Sequence, residues 1–102
     1  MAEHAVIVTF TYAAQSPDPL FSLEDRLREA IDTAGVGEFD GNELASDLSD
    51  GTLYMYGPDA EALFQVVRPL LAEAACFRTA AATLRFGPPA EGVPERTVEL
   101  KS

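Results

Sequence analysis

Two hydrophobic periods alternate along this chain. Over Val6–Tyr12 (VIVTFTY) the period is two: Val6, Val8, Phe10 and Tyr12 share one side of an extended segment, and Ile7, Thr9 and Thr11 the other. The same period returns at Thr52–Tyr56, where Leu53 and Met55 oppose Thr52, Tyr54 and Tyr56, and at Thr83–Phe86, where Leu84 and Phe86 oppose Thr83 and Arg85. Between these strands the spacing changes to three and four. Leu23, Leu27, Ala30, Ile31 and Ala34 form one stripe; Ala60, Leu63, Phe64, Val67, Leu70, Leu71 and Ala74 form a second.

Local chemistry punctuates the periods. Ser22 followed three residues later by Asp25 reads as a capping box opening the first helix, and Gly35 as its left-handed stop. Val36–Asp50 reads as one irregular strand interrupted near Gly41, paired antiparallel with Thr52–Tyr56 through a turn at Ser49-Asp50-Gly51. Pro58 suits the first turn of the second helix, with Asp59 and Glu61 at the positive end of its dipole. Pro69 predicts a kink or a restart, because it removes a hydrogen bond and crowds the carbonyl of Gln65. Met1–His4 reads as a frayed start. Residues 87–102 read as a tail or edge strand, with Arg96–Leu100 the extended part.

The order strand, helix, strand, strand, helix, strand resembles the ferredoxin-like α+β sandwich. That resemblance implies a four-stranded antiparallel sheet with both helices on one face and a possible extra C-terminal strand, in one domain spanning residues 1–102. It is a resemblance to a superfold that hosts many functions, so function has to be read from surfaces. The helix-covered face should receive Val6, Val8, Phe10, Leu53, Met55, Leu84 and Phe86. The opposite face then presents Thr9, Thr11, Tyr54, Tyr56, Thr83 and Arg85, a candidate binding surface of the residue types enriched in protein contacts. The competing reading of those residues is plain cross-strand pairing.

Charge narrows the partners. The 102 residues carry a net charge of -10, which disfavours binding to nucleic-acid phosphates or anionic lipid. Tyr54 and Tyr56 sit where RNA-recognition domains of this architecture stack bases, but the basic, glycine-rich motif of those domains is missing. No Lys or Arg falls between Arg28 and Arg68, whereas Glu38, Asp40, Glu43, Asp47 and Asp50 all do, forming an acidic patch. Such a patch either solubilises the protein or meets a basic partner.

Catalytic signals are sparse. Asp47, Ser49 and Asp50 before Gly51 fit a turn better than a calcium loop, since the glycine and the final glutamate fall out of place. His4 is the single histidine and reads as part of the tail. Cys76 is the single cysteine: either a buried thiol or, with Arg78 nearby, one of lowered pKa. No catalytic residue, metal site or cofactor is expected, and the apolar runs are too short for a membrane span. The sequence expectation is a cytoplasmic, non-enzymatic module acting through protein contact: a homodimer through the sheet face, or an immunity-, antitoxin- or anti-CRISPR-like inhibitor of a basic partner. The alternative is a small-molecule-binding or enzymatic domain holding an anionic ligand over Tyr54, Tyr56 and Arg85.

Overall fold

Val6, Val8, Phe10 and Tyr12 divide from Ile7, Thr9 and Thr11 as their alternation requires, and this division places every other element. The computed structural model describes residues 3–101. Its elements are β1 (His4–Tyr12), α1 (Asp18–Ala34), β2 (Glu38–Leu44), β3 (Asp50–Gly57), α2 (Ala60–Ala72), β4 (Phe77–Arg85) and β5 (Glu95–Lys101). The sheet order is β2-β3-β1-β4-β5 with every neighbouring pair antiparallel, so β1 is central. This is the ferredoxin-like arrangement with a fifth strand added beside β4, and the C-terminal segment is that strand. No helix among the described residues is long and apolar enough to cross a membrane.

One hydrophobic core lies between the helices and one sheet face. Val6, Val8, Leu53, Met55 and Leu84 are completely buried there, together with Leu20, Leu27, Ile31, Leu63, Val67 and Leu71 from the helices. Phe10 stacks on Phe77 with ring centroids 4.4 Å apart. Phe86 departs from the expectation. It lies just past the end of β4 and is only partly buried, with its ring edge-on to His4.

Both helix starts differ from the sequence expectation, and at each a residue of β1 accepts a hydrogen bond from a first-turn amide. α1 begins at Asp18 rather than near Ser22, and Ser22 and Asp25 sit exposed inside it. Its first turn is held by Tyr12, whose hydroxyl accepts from the Leu20 amide at 3.2 Å and donates to the Ser16 carbonyl at 2.7 Å. Burial raises the pKa of that phenol, which therefore stays a donor. At α2 the cap is Asp59, whose carboxylate accepts from the Glu61 and Ala62 amides; Pro58 precedes the helix instead of opening it. His4 belongs to β1, not to a frayed tail, and its Nδ1 accepts from the Ala60 amide at 3.0 Å. Pro69 does not divide α2, which runs as one helix through Ala72.

The β2–β3 connection is also displaced. Its turn is built on Asp47-Leu48-Ser49, with Leu48 at φ 62° and Asp47 Oδ1 accepting from both the amide and hydroxyl of Ser49; Asp50 and Gly51 already belong to β3. The interruption expected near Gly41 is present as a register shift between Phe39 and Gly41. Cys76 is buried, and desolvation raises its pKa, the opposite direction to the lowering expected from Arg78. β5 is fastened by a bidentate Arg96–Glu61 ion pair at 2.6 and 3.0 Å and by Lys101, whose Nζ donates to the carbonyls of Ala74 and Phe77.

Glu24 is the one buried charged residue of the described chain, only 4% exposed among the apolar positions of α1. Asn42 Nδ2 donates to its Oε2 at 2.7 Å, tying α1 to β2, and Arg28 approaches at 4.0 Å while covering the Phe39 ring. Burial outweighs both partners and raises the carboxyl pKa above its ordinary 4.5.

Two predictions follow from this packing. A raised carboxyl pKa means that the folded state binds its proton more readily than the unfolded chain, so stability falls as pH rises from about 4.5 through the folded pKa. Glu24→Gln keeps an acceptor for Asn42 and removes the buried charge. Its Tm should match the wild type near pH 4 and exceed it at pH 8, as read by calorimetry across that range. Separately, Gly37 has φ 151°, and a Cβ there would lie 2.1 Å from the Tyr56 carbonyl oxygen. Gly37→Ala should cost roughly 2–3 kcal/mol in denaturant unfolding. Gly92→Ala, at φ 84° but with open space around a Cβ, should cost only the backbone strain, about 1 kcal/mol.

Candidate functional site

The sheet face away from the helices is assembled by the pairing registers as a grid of cross-strand rows. One row runs Glu43–Thr52–Thr9–Ala81–Glu99. The next runs Gly41–Tyr54–Ile7–Thr83–Thr97, and a third Glu38–Tyr56–Ala5–Arg85–Glu95. A shorter fourth runs Asp50–Thr11–Thr79. All six residues nominated from sequence, Thr9, Thr11, Tyr54, Tyr56, Thr83 and Arg85, stand on this face. Thr9 and Thr11 are exposed and the other four partly so.

Pairing across strands organises part of the face internally. Thr11 and Thr79 hydroxyls meet at 2.6 Å, and Thr83 and Thr97 at 3.2 Å. Tyr54 donates its hydroxyl to Glu43 Oε1 at 3.0 Å, and this bond to a carboxylate raises the phenol pKa. Arg85 is less available than expected. Its Nε donates to the Gly87 carbonyl at 2.8 Å, and Ala5 of β1 stands between it and Tyr56. With strands about 4.8 Å apart, that separates the Tyr56 and Arg85 backbones by roughly 10 Å, so the two do not converge on one small group.

Side-chain size gives the face relief. Tyr54, Ile7, Tyr56 and Arg85 make one half tall. Thr9, Thr11, Thr52, Thr79 and Ala81 make the other half low, and a shallow cavity of about 510 Å³ lies over it. Asp50, Glu99 and Lys101 also line that cavity, so its charge is mixed. The acidic patch is placed as a strip: Glu38, Asp40 and Glu43 are exposed along edge strand β2, Asp47 in the turn that follows and Asp50 at the start of β3. Asp47 is occupied by its own turn, and its hydrogen bonds to Ser49 lower its pKa.

The far side of the frame is set by the pairing of β5 and is not visible in the sequence. Glu95 and Glu99 of β5 mirror Glu38 and Glu43 of β2, so glutamates border the face on both edge strands. The alternation of Glu95, Thr97 and Glu99 was the available signal, but it had no register until β5 was paired. Ile7 and Ala81, at the middle of the face, were also left out of the nominated set.

No family model matches the chain, and no curated protein matches it. Among solved structures the chain is similar to the structure of Rv0793 from Mycobacterium tuberculosis, with a TM-score of 0.58 at 20% sequence identity. The match covers 89% of this chain and 99% of that one. At this identity the likeness establishes the fold, and the fold alone.

Proposed function

We propose that this protein is a non-enzymatic protein-contact module that works through its helix-free sheet face, with a second copy of the chain as the occupant. The observation that carries the reading is the distribution of charge on that face. Its middle, from Tyr54 and Ile7 to Thr9, Ala81 and Thr83, is uncharged, and glutamates stand on both bordering strands. An uncharged, aromatic-containing centre inside a charged rim is the anatomy of a protein interface. Size supports it as well. Five strands of seven to nine residues give a footprint on the order of 600 Å², larger once relief is included, against about 800 Å² per partner in stable contacts. A tall half beside a low half also suits two-fold packing, in which each copy's tyrosines meet the other's threonines.

A second reading rests on the β2 strip. Exposed Glu38, Asp40, Glu43, Asp47 and Asp50 form an acidic edge that would meet a basic protein, as an inhibitor imitating phosphate charge would. The anionic-ligand reading is the least favoured of the three. Arg85 is tied to Gly87, and the carboxylates of Asp40 and Glu43 stand on the Tyr54/Tyr56 side.

Light scattering after size exclusion should give twice the 11.0 kDa chain mass. Because both copies carry -10, the dimer fraction should rise between about 20 mM and 300 mM salt as repulsion is screened. Ile7→Glu with Tyr54→Glu should yield monomers with wild-type circular dichroism; a wild type that is monomeric at all salts refutes the second-copy reading. For the acidic edge, Asp40→Asn, Glu43→Gln, Asp47→Asn and Asp50→Asn together should reduce recovery of a basic partner from host lysate at least about tenfold. Equal recovery by the neutralised protein would dismiss the inhibitor reading.

A further inference from the structure

At the β2 border of the open face, Asp40, Gly41, Asn42, Glu43, Tyr54 and Tyr56 line a second shallow cavity, of about 440 Å³. Three features of its construction bear on what it could hold. The register shift between Phe39 and Gly41 leaves Asp40 as the extra residue of β2. Gly41 then pairs directly with Tyr54, and a Cβ at Gly41 would meet nothing within 4 Å. The glycine thus leaves open space on β2 at the position paired with Tyr54. The Tyr54 hydroxyl donates to Glu43 Oε1, which holds ring and carboxylate in a fixed relation.

The wall chemistry has a definite sign. The lining combines two phenol rings, whose π-faces are electron-rich, with two carboxylates of full negative charge, a combination that attracts an organic cation. The lining itself contains no Lys or Arg, and none occurs in the sequence between Arg28 and Arg68. Arg28 itself is engaged with Phe39, a residue of the helix-side core. Arg85 lies across β1 and is tied to Gly87.

We propose that this cavity binds an organic ammonium group, with Tyr54 and Tyr56 facing the alkylated nitrogen and Asp40 and Glu43 balancing its charge. The aromatic walls favour an alkylated cation over a hard metal ion, which would need several converging oxygens. The site is complete within one copy of the chain. It does not depend on the second-copy contact, although a copy seated on the same face would roof it.

The test uses tetramethylammonium chloride as probe, with sodium chloride at equal ionic strength and tert-butanol as the uncharged isostere. The readouts are amide cross-peaks of residues 41–43 and 54–56 and tyrosine fluorescence. That fluorescence is interpretable because the chain has no Trp, and its third tyrosine, Tyr12, is buried in the core. Tetramethylammonium should produce saturable shifts confined to these residues, and neither control should. Tyr54→Ala should weaken binding about three- to fivefold, whereas Tyr54→Phe, which keeps the ring and loses only the bond to Glu43, should weaken it by less than about twofold. Asp40→Asn with Glu43→Gln should weaken it by a similar factor, and more at low salt than at high salt. A short peptide bearing one trimethyllysine separates the sources: tighter binding than the free ion assigns the group to a protein chain, equal binding to a small molecule. Absence of saturation, an equal response to either control, or unchanged affinity in Tyr54→Ala overturns the proposal. Light scattering on the same samples keeps the two readings apart, because a monomer that binds the probe retains this site and removes the dimer.

Discussion

Strand β1 is the constraint on which the structure depends. It is the central strand of the five, pairing with β3 over His4–Thr11 and with β4 over Ala5–Tyr12. Its side chains therefore decide which way both neighbours face. A slip of one residue in either register would send Val6, Val8 and Phe10 into water and Thr9 and Thr11 under the helices. Burying three such side chains is worth roughly 1.5–3 kcal/mol each, comparable in sum to the net stability of a small domain, so the correct register has no close competitor. The same strand also begins both helices. Tyr12 at its end holds the first turn of α1, and His4 at its start accepts from the first turn of α2. The sheet and the helix layer are thus positioned from a single segment of nine residues.

This explains which features were legible in the sequence. The faces of β1, β3 and most of β4 were readable because a period of two needs only neighbouring residues. Leu53 and Met55 against Tyr54 and Tyr56 is such a case, and so is Gly35 ending α1 at φ 66°. The start of α1 was not readable, because Tyr12 acts across the fold and a local capping signal at Ser22 and Asp25 competed with it; the start of α2, capped by the local Asp59, was displaced only from Pro58 to Ala60. Glu24 was hidden for a related reason. It falls on the apolar stripe four residues after Leu20 and three before Leu27, and only its contact with Asn42 explains a carboxylate there. The turn at Leu48 shows the opposite failure. Asp50-Gly51 carries a strong local turn signal, yet antiparallel pairing extends through it, with Asp50 opposite Thr11 and Gly51 opposite Phe10. A Cβ at Gly51 would come within 2.7 Å of the Phe10 ring, so the glycine is required by packing, not by the turn.

The charge of the molecule takes a different meaning once placed. A total of -10 spread evenly would be a solubility device. Here glutamates stand on both bordering strands of the open face, β2 and β5, and the middle strand β1 contributes only Ala5, Ile7, Thr9 and Thr11 to that face. Charged edge strands resist unwanted strand addition, and an uncharged centre permits a face-to-face contact. One arrangement therefore discourages association along the edges and leaves it open across the face.

The two borders are nevertheless unequal, and the difference lies in a single inserted residue. On β5 the glutamates stand opposite Ala81 and Arg85, beside threonines that pair with one another, and the carboxylates find cationic or small neighbours. On β2 the extra residue, Asp40, adds a carboxylate, and Gly41 withholds a side chain beside Tyr54. Without the bulge, β2 would pair with β3 as a regular ladder. Keeping it forgoes ladder pairing at one position and opens a concave, negatively charged space against aromatic rings. Bulges concentrate where a sheet edge has to re-aim side chains. This one lies where re-aiming changes the edge from a repellent border into a surface that attracts a cation.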